Sequence, residues 1–147
     1  MFKLEKIGYV VNNVESHADC LELRNSVSEL VIFDKYIDGL KDIEKCAFLQ
    51  VLFNFHLCQD EYELIDHSYN GHSTGIFASR SNERPNNIGL TTVKLLERKA
   101  NRIKVLGLDA LNGSPILDIK PYNPILDKKE CAPEISISKS SKTLNLN

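Results

Sequence analysis

The sequence predicts a mainly β fold: a single-domain, barrel-like structure with a few short helices. Three observations predict it. Runs rich in β-branched or aromatic residues recur along the chain between turn signals. Two of them, Ile88 to Arg98 and Arg102 to Leu108, are separated only by Lys99-Ala100-Asn101 and read as a hairpin. Each carries apolar residues on both faces toward one end, which suits a barrel or a covered sheet better than an open meander. The chain has 147 residues and is 42% hydrophobic, enough for one domain with a single core.

The elements follow in order. Glu5 to Val11 reads as a first strand in which Gly8 marks a bulge or a close backbone approach. Residues 12–25 are polar and aperiodic, a loop with at most a short helical turn. Val27 to Phe33 favours a strand, and Lys35 to Lys45, with Gly39 and dense charge, a loop and a short helix. Cys46 to Cys58 is the most apolar run and reads as a buried central strand. Glu63 to Asp66 suits a short strand, followed by a polar loop from His67 to Thr74.

Ile76, Phe77 and Ala78 then read as the end of a strand before a polar loop. After the hairpin, Gly113 and Pro115 mark a tight turn, and Ile116 to Lys120 is a last strand stopped by Pro121 and Pro124. The domain is expected to occupy residues 1–128. Residues 129–147 form a tail, and its Ser-, Lys- and Asn-rich end from Ser138 reads as mobile.

Charge and cysteines exclude several classes. The net charge is -2 and the pI about 6.1, so no whole-molecule basic field attracts nucleic acid, and any RNA contact needs a local patch. No apolar run approaches the ~18 residues of a spanning helix, and the start lacks the apolar core of a signal peptide. No membrane association is expected. Cys20, Cys46, Cys58 and Cys131 are scattered without a C-x-x-C pair, which fits reduced thiols in a cytoplasmic protein. His56, Cys58, His67 and His72 fit no common zinc spacing, so no metal is expected. The dinucleotide and P-loop glycine patterns are both absent.

One stretch stands out, Gly75 to Thr91, which carries Phe77-Ala78-Ser79-Arg80-Ser81, then Arg84-Pro85-Asn86-Asn87-Ile88-Gly89-Leu90-Thr91. Pro85 fixes its own φ and pushes Arg84 toward an extended backbone, so the loop is expected to be stiff. Its guanidinium groups suit a carboxylate or a phosphate. From the residues alone, a surface turn whose arginines pair with neighbouring acids is an equal reading. A second stretch runs Asp109-Ala-Leu-Asn-Gly-Ser-Pro-Ile-Leu-Asp-Ile-Lys-Pro-Tyr122. A third, weaker block is Tyr36 to Glu44, followed by an apolar strand ending at His56.

With these motifs in order and near-register from about Val27 to Asp127, the chain resembles the TrmO family (TsaA-like domain). The family's patterns are F-A-T-R-S-x-x-R-P-N-P-I-G-L-S and D-x-L-D-G-T-P-V-L-D-I-K-P-Y. The resemblance implies a β-barrel methyltransferase that uses S-adenosyl-L-methionine, pairs as a homodimer and acts on a tRNA substrate. The implied acceptor is the exocyclic nitrogen of threonylcarbamoyladenosine in the anticodon loop. A bound sulfonium already activates its methyl group, so such a site needs few acids or bases, and no catalytic residue is assigned.

The cofactor-binding residues that the resemblance implies are His56 and Leu57 after the central strand, Arg80 in the loop and Leu90 in the following strand. Asn112, Gly113, Ser114 and Pro115 complete the set in the turn. Gly113 lets backbone approach a ligand closely, and Ser114 offers a hydroxyl. Read without the family, the turn is equally an ordinary strand connection and His56 a satisfied core histidine.

The chain departs from the pattern in three places. Asn87 stands where the family has proline, and Asn112 where it has aspartate. The serine-proline step after the first strand is replaced by Asn12-Asn13-Val14, and Arg24 matches the family's amino-terminal arginine only loosely. The alternative to an enzyme is a non-catalytic β-barrel module that binds RNA or a nucleotide.

Overall fold

The computed structural model describes residues 1–16, 24–69 and 71–130 of the chain. They fall into two compact units. The first comprises residues 1–62 and 82–122, and the second begins with residues 63–81 and continues from residue 123.

The first unit is a closed six-stranded antiparallel barrel of β1 (Gly8–Val11), β2 (Val27–Ile32), β3 (Phe48–Asn54), β6 (Ile88–Lys99), β7 (Arg102–Leu106) and β8 (Pro115–Pro121). Around the barrel the order is β1-β2-β7-β6-β3-β8, with β8 closing back on β1. Side chains alternate as a two-residue period demands. Val10, Leu30, Leu49, Val51, Phe53, Val93, Ile103, Val105 and Ile116 point inward and form one core. Two bulges interrupt the registers, one between Leu95 and Glu97 on β6 and one opposite Leu52 and Phe53 on β8. Bulges increase local twist and bend, which a short barrel needs to close.

Gly8 has the role its sequence position suggests. A Cβ there would lie 2.1 Å from the Val31 carbonyl oxygen, so only glycine allows β1 and β2 to approach this closely.

The connections sort to the two ends of the barrel. At one end, residues 34–45 cross from β2 to β3 as 3-10 turns (Asp34–Leu40 and Ile43–Lys45), burying Leu40 beneath them. Arg98 ties this crossing to β6, donating to the Leu40 carbonyl at 3.0 Å and pairing with Glu44 at 3.6 Å. At the other end lie the residues that follow β1, those that follow β3 and the β7–β8 connection.

The second unit contains a hairpin of β4 (Ile65–Tyr69) and β5 (His72–Gly75), a 3-10 turn over Ile76–Ala78, and a short helix α1 (Pro124–Asp127). Pro124 opens α1 and Asn123 caps it, its side-chain oxygen accepting from the Ile125 N–H at 2.9 Å.

Several expectations are corrected here. Within the expected loop from His67 to Thr74, residues 67–69 and 72–74 are strand, because the backbone ladder of β4 and β5 does not require apolar alternation. Ile76, Phe77 and Ala78 form a 3-10 turn rather than a strand end, with Ile76 buried and Phe77 exposed. Pro121 is the last residue of β8, and Pro124 starts a helix. The central strand, Phe48–Asn54, is shorter than expected and buries only alternate residues, with Phe48 43% exposed. The expected mobile tail from Ser138 lies outside the described residues, as do Cys20 and Cys131. Cys46 and Cys58 are free thiols.

Candidate functional site

The first half of the second motif, Asp109 to Pro115, occupies the end of the barrel opposite the 34–45 crossing. Leu111 to Ser114 is a tight turn closed by the Ser114 N–H on the Leu111 carbonyl at 3.1 Å. Gly113 sits at φ 84, in the left-handed region, as its place in such a turn requires. Backbone bonds anchor the turn on β1: the Gly113 N–H donates to Val10 at 2.7 Å, and the Val10 N–H donates to Ser114 at 3.0 Å. Ser114 is buried at 1% exposure and Pro115 begins β8 against Tyr9, while Gly113 stays exposed.

His56 reaches this turn from the end of β3. A Cβ built on Gly113 would stand 3.7 Å from His56 Nε2, so the histidine ring and the open glycine backbone face one another. The glycine of the first motif helps position that ring. Gly89 is buried, and a Cβ there would lie 2.6 Å from the Phe53 ring and 2.8 Å from that of Phe55. Its absence lets Phe53 and Phe55 pack edge to face at 5.2 Å, with His56 next in the chain.

The two motifs also meet directly. Thr91, at the end of the first, donates its hydroxyl to Asp109, which opens the second. Arg24 pairs with the same carboxylate at 3.7 Å. Asp109 is therefore an anion held at this end of the barrel. Asp118 belongs elsewhere, opposite Leu52 in the strand register and 3.0 Å from Lys120.

The other expected residues distribute as follows. Leu57 is 60% exposed just beyond His56, and Leu90 is 42% exposed, opposite Leu52 in the ladder. Arg80 lies in the second unit, exposed, after Ser79, whose hydroxyl accepts from the Ser81 N–H at 3.3 Å. Burial, with the Glu83 charge second, pushes the Cys58 thiol above its ordinary value, which keeps it protonated and unsuited to nucleophilic work.

Asn87 does more than lose a ring. It adopts φ 48 and follows Asn86 at φ 68, two left-handed residues in succession. Its side-chain amide donates to the Asn82 carbonyl at 2.9 Å, and its own carbonyl accepts from the Phe55 N–H at 2.8 Å. The loop has taken a form that proline cannot adopt at this position. Pro85 and an extended Arg84 (φ -154) precede it as the sequence suggests.

Sequence reasoning missed Asn12. Its side chain donates to Ser28 Oγ at 3.1 Å and to the Ala110 carbonyl at 2.9 Å, and accepts from the Val14 N–H at 2.9 Å. An asparagine directly after a strand was the available signal, because such residues bond local backbone.

A cavity of about 520 Å³ opens at the opposite end of the barrel, under the 34–45 crossing, lined among others by Ile7, Ile32, Leu40, Leu49 and Ile119. None of the expected site residues lines it, so its size does not identify it with the motif site. Among the described residues, no cluster of His, Cys, Asp or Glu is placed to hold a metal ion, and no helix is long and apolar enough to cross a membrane.

The model of the tRNA-methyltransferase O N-terminal domain matches residues 18–128. The chain belongs to this family. An Archaeoglobus fulgidus relative described as an S-adenosyl-L-methionine-binding protein is 39% identical over 127 residues, covering 84% of this chain and 91% of the relative. A second from the same organism, a probable S-adenosyl-L-methionine-binding protein, is 46% identical over 99 residues, covering 67% of this chain. The human tRNA (adenine(37)-N6)-methyltransferase is 36% identical over 108 residues, covering 70% of this chain. The chain spans only 27% of that second archaeal relative and 23% of the human enzyme. The crystal structure of TrmO from Pseudomonas aeruginosa superposes with a TM-score of 0.72 at 28% identity, covering 90% of this chain and 60% of the other. Family membership and the barrel expected from the sequence are thereby established together.

Proposed function

We propose that this family member binds S-adenosyl-L-methionine at the barrel end formed by His56 and the Asn112–Pro115 turn, and transfers its methyl group to an adenine of tRNA. The specific acceptor in this reading is the exocyclic nitrogen of threonylcarbamoyladenosine in the anticodon loop. The observation that carries the reading is the approach of His56 Nε2 to the bare backbone of Gly113, which brings residues from two separate stretches of the sequence to one place.

The donor set fits such a cofactor. Gly113 leaves backbone open to close approach, His56 offers a ring nitrogen, Asn112 an amide, and Leu57 an exposed apolar surface suited to an adenine face. Asp109 adds a fixed negative charge at the same end. When bound, the cofactor supplies an activated methyl group. The chain's residues then have to orient, desolvate and hold, which is compatible with a site poor in acids and bases. Arg80 joins this reading on its motif position alone.

Calorimetry with S-adenosyl-L-methionine and S-adenosylhomocysteine, followed by methylation of modified tRNA, tests the proposal. Arg80→Ala is expected to weaken S-adenosylhomocysteine by ~1.5–3 kcal/mol if the guanidinium makes a charge-assisted bond, and unchanged affinity in the folded variant would refute that role. The homodimer and the cytoplasmic location belong to the same proposal. A monomeric sedimentation mass at micromolar concentration would remove the dimer. A second reading, cofactor binding without transfer, draws on the archaeal relatives being described as binding proteins. Tight cofactor binding with no methyl transfer to any tRNA would favour it.

A further inference from the structure

The β1–β2 connection and the β7–β8 connection are bound to each other more densely than a strand crossing requires, and one residue accounts for most of it. Asn12 uses its whole side chain and its backbone N–H. The side-chain NH2 group donates to Ser28 Oγ at 3.1 Å and to the Ala110 carbonyl at 2.9 Å. The side-chain oxygen accepts from Val14 at 2.9 Å. The backbone N–H donates to Asn112 Oδ1 at 2.9 Å. Asn112 answers through its own N–H to the Val14 carbonyl at 2.8 Å, and Val14 packs against Leu111 in a small buried pair.

This arrangement decides which way the Asn112 amide faces. A backbone N–H can meet only the oxygen of an amide, so the bond from Asn12 assigns Oδ1 by chemistry, and the NH2 group must point away from Asn12. Where the family carries an aspartate, this turn therefore presents hydrogen-bond donors and no charge. Two of the three departures from the family pattern, at positions 12 and 112, meet in this one contact.

We infer that Asn12 is a positioning residue: it holds the Ala110–Ser114 turn in register and orients the Asn112 amide with its NH2 group turned to the cofactor side. The inference rests on the cofactor reading proposed above for this turn. A turn that offers NH2 donors favours acceptor groups of a ligand and gives no preference to a positive sulfonium over the neutral sulfur of the product. With no charge at position 112, and with the Asp109 carboxylate engaged by Thr91 and offset by Arg24, the chain accordingly binds S-adenosyl-L-methionine and S-adenosylhomocysteine with affinities within about threefold of each other.

The test compares Asn12→Ala with Asn101→Ala. Asn101 makes a bond of the same kind at the other end of the barrel, its side-chain NH2 donating to the Ile32 carbonyl at 2.8 Å. Both variants lower the thermal midpoint. Only Asn12→Ala should speed amide hydrogen exchange at Asn112 and Gly113 and weaken S-adenosylhomocysteine about tenfold. Unchanged exchange at those two amides, or an equal loss of affinity in Asn101→Ala, would overturn the inference. A strong preference of the unaltered chain for the sulfonium ligand would overturn its specificity clause. If the unaltered chain bound neither ligand, the cofactor reading would fall, while the exchange measurement would still decide whether Asn12 braces the turn.

Discussion

Restoring the proline that the family carries at position 87 should damage this protein rather than repair it. Asn87 holds φ 48, and a proline ring demands a φ near about -65°, so the backbone must swing through more than a quarter turn. The residue before a proline is also driven away from helical conformations, yet Asn86 sits at φ 68, ψ -8. Two bonds vanish as well: the Asn87 N–H to Arg84 at 3.0 Å and the side-chain amide to Asn82 at 2.9 Å. At ~1 kcal/mol for each bond and at least as much for the incompatible backbone, Asn87→Pro should cost ~3 kcal/mol or more. In a chain of this size that lowers the thermal midpoint by roughly 6–12 °C. Two companions grade the causes. Asn87→Gly keeps the φ and the N–H and loses only the side-chain bond, ~1 kcal/mol. Asn87→Ala adds the penalty of a Cβ at positive φ and falls between. Thermal unfolding followed by circular dichroism orders the three. A proline variant as stable as the parent would refute the reasoning, because it would mean the loop relaxes to the family's form without cost.

The remaining predictions concern charge and packing. Asn112→Asp preserves the acceptor for the Asn12 N–H and adds a carboxylate, so S-adenosyl-L-methionine should tighten by up to roughly tenfold, and more than S-adenosylhomocysteine. Equal or poorer affinity for the sulfonium would reject this and point to repulsion from Asp109. Gly8→Ala forces a Cβ into the Val31 carbonyl and should cost ~2–4 kcal/mol by urea unfolding, whereas Gly39→Ala, with open space around it, should be near neutral. The Tyr36 hydroxyl, 2.8 Å away, and secondarily Lys35 hold the Glu5 carboxyl below its ordinary value of 4.5. A lowered folded value means that this contribution is fully present above 4.5 and is lost as pH falls from there through the lowered folded value. Tyr36→Phe should return the Glu5 titration, followed by NMR, toward 4.5, and an unmoved titration would show that the hydroxyl is not the cause.

The sequence by itself determined the barrel strands and the family. Runs rich in β-branched or aromatic residues between turn signals marked β2, β3, β6 and β7, a local property that needs no partner to be visible. The short spacing around Ala100 and Asn101 likewise marked the hairpin. Gly8 was legible as a bulge or a close approach, the two usual reasons for a glycine inside a β-rich run, and the structure shows the second. The motif residues His56 and Gly113 were legible only by resemblance, and nothing local distinguished them from a core histidine and an ordinary turn.

Tertiary structure decided the rest, because the deciding contacts join residues far apart in the chain. Asn12 and Asn112 meet across 100 residues, and they do so only because β8 pairs with β1 to close the barrel. The same closure brings Arg24 to Asp109 and sets the 34–45 crossing at the end away from His56 and the Asn112–Pro115 turn. Glu63 to Asp66 was legible as a short strand, but its pairing with β5 escaped notice because β5 is polar, and a backbone ladder leaves no period in mostly exposed side chains. Asn87 escaped for the opposite reason. Its departure from proline looked like a loss of stiffness, and only the backbone angles and its bond to Asn82 reveal a loop held by an amide where the family's pattern has a ring.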